Sequence, residues 1–253
     1  MFKLDIFVKS SLNYSYKMNH KLINKVTFSF LFFISSWQYA SCQKDFLNGY
    51  IINLNGDTVN GFIKYKNTVN NPNEVTFINK LSKEQQTFSP KEIKAYSVKD
   101  EFFESANVST EVGQSDTKEI NFDTSLKLTR INVFLQTIIH GNKSLYYYHG
   151  KHQNEHFYIK KDSVFELLIY KKYYSKIDDI TTEKENKKYI NQLYNYLEDC
   201  STIVTKLNNT EYYKSDLEKL FIYYYNEMKT VLTHIAGHFP RFVKYMCLFV
   251  NIS

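Results

Sequence analysis

Residues 149–156 read His-Gly-Lys-His-Gln-Asn-Glu-His, and their order matches a known chemistry. His152-Gln-Asn-Glu155-His156 is the H-x-x-E-H order of inverted zinc peptidases. In that class two imidazoles on one helical face hold zinc, and the carboxylate is the general base for the attacking water. The order alone does not supply that geometry. Tyr146, Tyr147 and Tyr148 precede the motif, Phe157-Tyr158-Ile159 follows it, and Gly150 sits beside it. Strand formers on both sides predict a hairpin loop rather than a helix. His149, His152 and His156 therefore stand as a weak metal site for zinc, beside the plainer reading of an exposed polar turn.

Other chemistry is thinner. The sequence has no G-x-S-x-G, no P-loop and no G-x-G-x-x-G, and its seven glycines are scattered. Asp57, Asp178, Asp179 and Asp199 are not paired by spacing, and Asp178-Asp179 reads as part of a connection before the helices. The tyrosine runs 146–148 and 223–225 have the rings to stack on sugars or bases. On strands and helix faces such rings more often fill a core and keep the hydroxyl wet. Arg130 and Arg241 are the only arginines, few for phosphate recognition. No catalytic residue is assigned, and the chemistry leans away from an enzyme.

The N-terminus carries an address. Lys17, Lys21 and Lys25 precede Val26–Trp37, a nearly all-apolar run, and small residues Ala40, Ser41 and Cys42 follow. Basic, apolar, small is the order of a secretory signal peptide, and the run is shorter than the roughly 20 residues a spanning helix needs. Met18 reads as the working start, with 1–17 an upstream extension and 18–42 the signal. Cleavage after Cys42 leaves Gln43 first. Alternatively Tyr39-Ala40-Ser41-Cys42 is a poor lipobox, with Cys42 the lipidated residue. Export to the periplasm, cell surface or medium is expected either way.

Removing this segment changes the charge argument. Residues 1–43 hold five lysines and one aspartate of a chain with formal net charge +6. The remainder carries 27 basic against 25 acidic residues, which gives no reason to expect a nucleic-acid partner. Membrane contact is expected only through the signal or a lipid on Cys42. Two cysteines remain, Cys200 and Cys247, and an oxidising compartment permits a disulfide between them.

The elements that must position these groups change period along the chain. In Gly49–Lys66 apolar residues alternate around Asn55-Gly56-Asp57, predicting a hairpin whose two central residues need positive φ. Short strands follow at Val75–Ile78, Ile93–Val98, Glu101–Val108, Leu126–Ile139, Leu145–Tyr148, His156–Ile159 and Phe165–Tyr173. Ser89-Pro90-Lys91-Glu92 is a capping box able to open only a turn. Residues 110–125 are polar and read as a loop. Tyr189, Leu193, Tyr196 and Leu197 then mark a helix face, capped by Thr182, and Leu217 to Met228 a second, opened by Ser215 and Glu218. The prediction is α+β: an antiparallel sheet of about eight strands over 44–175, a sandwich or open barrel. Two helices follow over 182–235, then a tail over 236–253.

GYIINLNGDTVNGFIKYKN with Asn71-Pro72, FSPKEIKAYSV, FYIKKDS and KKYINQLYNYLEDC together resemble an uncharacterised family of secreted proteins from Bacteroidota-type bacteria. The resemblance covers roughly residues 45–227 and rests on turn and core patterns. It implies export and carries over no catalytic residue. The functional expectation is a non-enzymatic binding or structural module of the cell envelope, its partner an unidentified envelope component or protein. The alternative is an envelope metal-dependent hydrolase using the His149–His156 loop.

Overall fold

The computed structural model describes residues 45–111, 122, 125–151 and 155–238, with side chains to 229. The chain divides into two compact units, 1–46 and 47–253, and the described residues belong almost entirely to the second. The expected signal, Cys42, residues 112–121 and the tail beyond 238 lie outside the described residues.

Ten strands form one sheet: β1 (Phe46–Asn53), β2 (Thr58–Lys64), β3 (Val75–Asn79), β4 (Gln85–Phe88), β5 (Ile93–Val98), β6 (Glu101–Glu111), β7 (Leu128–Ile139), β8 (Leu145–His149), β9 (Glu155–Lys161) and β10 (Val164–Leu167). Their order is β10-β9-β8-β7-β6-β5-β1-β2-β3-β4. Two meanders are thus joined where β5 returns to pair antiparallel with β1. A separate ribbon pairs β11 (Lys171–Ile177) with β12 (Ile180–Asn186). Helices α1 (Lys188–Tyr196), α2 (Ile203–Leu207) and α3 (Lys214–His238) follow. The α+β order, sheet then helices, is as the periodicity predicts.

The expected sandwich-or-barrel choice resolves into a single curled sheet. β10 folds back against β6, and Ala106, Val108, Val133, Tyr146, Tyr148, Tyr158 and Leu167 fill the inside of that curl. The first half stays open, with Ile51, Ile63, Val75, Phe77, Ile93, Tyr96, Val98, Phe103 and Phe134 on its packed face. β8 and β9 are buried on both faces. Leu145, Tyr147, Phe157 and Ile159 pack on the helices, while Tyr146, Tyr148 and Tyr158 point into the curl. That two-sided burial explains why Leu145–Tyr148 is uninterrupted aromatic and apolar rather than alternating.

The helices dock through hydroxyls as well as rings. Tyr196 on α1 accepts from Ser144 N (2.9 Å) and donates to Lys160 O (3.0 Å), tying together the ends of β8 and β9. Tyr212 accepts from Phe157 N (3.2 Å) and donates to Leu168 O (2.7 Å). Tyr225 on α3 donates to Lys143 O (2.8 Å) beside Gly141, where a Cβ would stand 2.1 Å from its oxygen. Of the tyrosines expected as core, Tyr146, Tyr147, Tyr148 and Tyr224 are buried, and Tyr223 and Tyr225 are half-buried against the same core. The hydroxyls of Tyr196, Tyr212 and Tyr225 are bound to backbone of the sheet and its connections rather than wet.

Four local expectations change. The helical region begins at Lys188, because 180–186 is the second strand of the ribbon. Ile180, Thr181 and Thr182 are β-branched strand formers. Asp178 and Asp179 both take positive φ (49° and 60°), closing Ile177 onto Ile180 as a two-residue turn. The acidic pair is turn chemistry rather than a connection before the helices. Asn55-Gly56, by contrast, is not the two-residue form. Only Gly56 is left-handed, at φ 100°, and Asn53 N reaches Asp57 O at 3.0 Å around a longer loop. Fourth, Ser215 does not open α3, which starts one residue earlier at Lys214. The Ser89–Glu92 box does form, with Glu92 accepting from Ser89 N and Oγ at 2.7 Å each, and opens no helix. Among the described residues no helix is long and apolar enough to cross a membrane.

Candidate functional site

The connection between β2 and β3 has no regular structure, yet it is held firmly. Asn71, 8 % exposed, is its anchor. Its Nδ2 donates to Phe134 O (2.9 Å) on β7 and to Tyr147 O (3.1 Å) on β8. Its Oδ1 accepts from His149 N (2.9 Å), and its backbone N donates to His149 O (2.8 Å). One amide therefore pins an arch, residues 65–74, across two strands.

Beneath the arch lies a cleft of about 880 Å³. Its floor is apolar and aromatic, with Ile63, Val75, Tyr96, Val98 and Phe103. Tyr96 stacks on Phe103 with centroids 4.7 Å apart and planes at 8°, and meets Phe134 edge-on at 5.0 Å. The rim is polar, with Tyr65, Asn73, Glu74, Glu101, Gln136 and Lys151.

A chain of hydrogen bonds fixes one wall. Lys214 Nζ, at the first residue of α3, donates to Gln136 Oε1 at 2.9 Å. Gln136 Nε2 donates to Glu101 Oε1 at 2.8 Å. An ammonium only donates and a carboxylate only accepts, so the amide between them has one orientation. Lys214 Nζ also lies 4.8 Å from the Tyr147 ring centroid, which helps hold it there. Burial, then the adjacent Glu101 carboxylate, holds the Tyr65 hydroxyl above its ordinary range. Tyr96 is raised by burial first and by Glu101 second. Both hydroxyls stay neutral donors at physiological pH. Chemically the cleft offers an apolar floor and a rigid acceptor wall.

The histidine motif is arranged differently from the zinc-peptidase pattern. His149 ends β8, Glu155 and His156 begin β9, and His152 lies outside the described residues. His149 pairs with Glu155, and Glu155 Oε1 accepts from Tyr147 Oη at 2.8 Å. His156 belongs to the opposite face, that of Tyr158, because successive strand residues alternate. The hairpin, expected from the flanking strand formers, thus turns Glu155 and His156 away from each other. Among the described residues no group of three or more His, Cys, Asp or Glu stands where it could hold a metal ion. The plainer reading, an exposed turn, fails for His156, which is 5 % exposed. Cys200 is buried and unbridged, its Sγ 3.5 Å from Thr202 Oγ1, while Cys247 lies outside the described residues.

His156 carries a pH dependence. Burial first, with the charge of His149 adding to it and the Glu111 carbonyl opposing, lowers it to about 4 from an ordinary 6.5. The neutral ring is the folded form, so its contribution is intact above pH 6.5 and is lost as pH falls toward 4. The difference corresponds to about 3 kcal/mol. Urea midpoints at pH 7 and pH 4.5 should differ accordingly, and His156→Leu should shrink the gap. An unchanged gap in the variant would place the acid sensitivity elsewhere.

Nothing in the sequence singles out Asn71, Glu101, Gln136 or Lys214: Asn71 reads only as half of an Asn-Pro pair, and Glu101 only as the start of a strand. A lone polar residue in a long connection has no period to betray it. Compared with known proteins, the chain matches no family model, no curated protein and no solved structure.

Proposed function

We propose that this chain is a non-enzymatic binding module of the cell envelope that takes its ligand into the cleft under the 65–74 arch. The observation that carries the reading is the cleft itself. It is a concave surface with a largely polar lining over an apolar floor, and some of its hydrogen-bonding groups are fixed in direction. Rigid strands supply the floor and a pinned loop supplies the wall, so ordering costs on binding are small. The compartment rests on the basic-apolar-small order of residues 17–42 and on the family resemblance.

The test uses methyl-labelled protein and a mixed fragment library. Binding compounds should shift the Ile63, Val75 and Val98 methyl resonances. Asn73→Trp, a substitution at the exposed rim, should abolish those shifts while leaving the fold's spectrum in place. Fragments that leave all three methyls unmoved would overturn the reading. Intact mass of the protein from its native host tests the compartment: a start at Gln43 or at lipidated Cys42 supports export, and a start at Met1 or Met18 removes it.

A further inference from the structure

The outer part of the β6–β7 hairpin has no strand beside it. Among the described residues β5 is in register with 101–104 of β6, and β8 with Gln136, Thr137 and Ile139 of β7. Beyond those positions, residues 106–111 and 128–133 pair with each other alone. A two-stranded ribbon is only marginally stable by itself. One face of this arm is wet, with Asn107 Nδ2 donating to Asn132 Oδ1 at 3.0 Å. The other face sets Ala106, Val108 and Val133 on Tyr146, Tyr148, Tyr158 and Leu167, closing the inside of the curl. β10 lies against the arm, but the hydrogen-bonded order of the sheet ends at β10. Among the described residues no backbone hydrogen bond joins β10 to β6.

Side chains make the closure instead. Tyr158 Oη donates to Ser109 O at 3.2 Å, and the His156 imidazole donates to Glu111 O. At the far end Lys171, 9 % exposed, sets Nζ 3.6 Å from Glu111 Oε1 and donates to Ser125 O. At the root Lys160 pairs with Glu104. The opposite side of this seam is fixed. Tyr212 and Tyr196 hold β9 to the helical layer, and Gln192 Nε2 donates to Leu167 O of β10 at 2.9 Å. The arm is therefore the side free to move. One-sided burial, a wet backbone ladder and few anchors are the make-up of a segment that opens locally. We infer that the β6–β7 arm opens and closes over the curl as a unit, with the Lys171–Glu111 pair as its latch. Closed, it hides the tyrosine-lined inside of the curl; open, it bares it. The device is separate from the arch cleft and does not rest on it.

Amide hydrogen exchange on the full chain tests this. In the unaltered protein the paired amides of 106–111 and 128–133 should exchange about tenfold faster, or more, than those of β8 and β9. Lys171→Met keeps the apolar stem and removes the charge. It should speed exchange in the arm about tenfold further and leave β2, β3 and β8 unchanged, because the Glu111 carboxylate is left uncompensated. Glu111→Gln should do the same, although its backbone carbonyl still serves His156. The two substitutions together should slow the arm's exchange relative to either alone, since no unpaired charge remains. Equal exchange in the arm, β8 and β9 of the unaltered chain would overturn the inference, and that comparison decides even where a variant folds poorly. Faster exchange in every strand of the variants, or in none, would overturn the latch.

Discussion

Replacing Asn71 by Asp is expected to destabilise the protein more than any other single substitution in the 65–74 arch. The asparagine donates to two buried carbonyls and accepts from one backbone N–H. A carboxylate keeps the acceptor and loses both donors, and it turns negative charge toward Phe134 O and Tyr147 O. Leaving a buried polar group unsatisfied costs about 1–3 kcal/mol, so two orphaned carbonyls and an unpaired charge cost about 4–6 kcal/mol. Such a loss is a large share of the roughly 5–15 kcal/mol that holds a domain together. Urea unfolding at pH 7 measures it. Asn71→Leu should cost less than Asp, because it brings no charge, yet it also frees the arch and should abolish fragment shifts at Val75. Asn73→Ala, two residues along and exposed, should stay within about 0.5 kcal/mol. Equal midpoints for Asn71→Asp and Asn73→Ala would show that the arch does not depend on its amide.

The second large effect is alkaline. Tyr96, Tyr158 and Tyr212 are at most 8 % exposed, and burial is the first cause that raises each hydroxyl far above 10. Tyr189 is pushed up to about 12 by the same cause. The folded state holds these protons and the unfolded chain releases them near pH 10. Stability is therefore whole below pH 10 and falls above it. Three such hydroxyls remove about 4 kcal/mol per pH unit. Against a margin of the usual size, unfolding should be complete by about pH 12–13. Circular dichroism and tyrosinate absorbance should change together in one step. A gradual absorbance rise with the ellipticity intact would mean that these hydroxyls reach solvent in the fold. Tyr212→Phe should lower the slope by about 1.4 kcal/mol per pH unit, at the expense of its bonds to Phe157 N and Leu168 O.

The tyrosines also show where sequence and structure part. Period alone places Tyr189, Leu193, Tyr196 and Leu197 on one helix face, and all four are buried. Alternation places β2, β3, β5, β6 and β9 within a few residues, since a strand with one packed face repeats every second residue. The β11–β12 ribbon has no such signal, because Glu183–Asn186 is polar on both faces and Phe165–Tyr173 reads as one strand where β10 ends and β11 begins. Only the two-residue turn at Asp178-Asp179 separates it, and left-handed aspartates are not distinguished in sequence from solvated ones.

The candidate site was less legible still. Glu155 and His156 are adjacent in sequence, but pairing Tyr148 with His156 sends the imidazole and carboxylate to opposite faces. Glu101, Gln136 and Lys214 are distant in sequence, and the curl of the sheet with the docking of α3 brings them into one line. Local periodicity determined the elements and their class, because each burial face is a property of neighbouring residues. Which polar groups meet depends on strand order and register, and the tertiary structure alone decides that, because hydrogen bonding acts over about 3 Å and not along the chain.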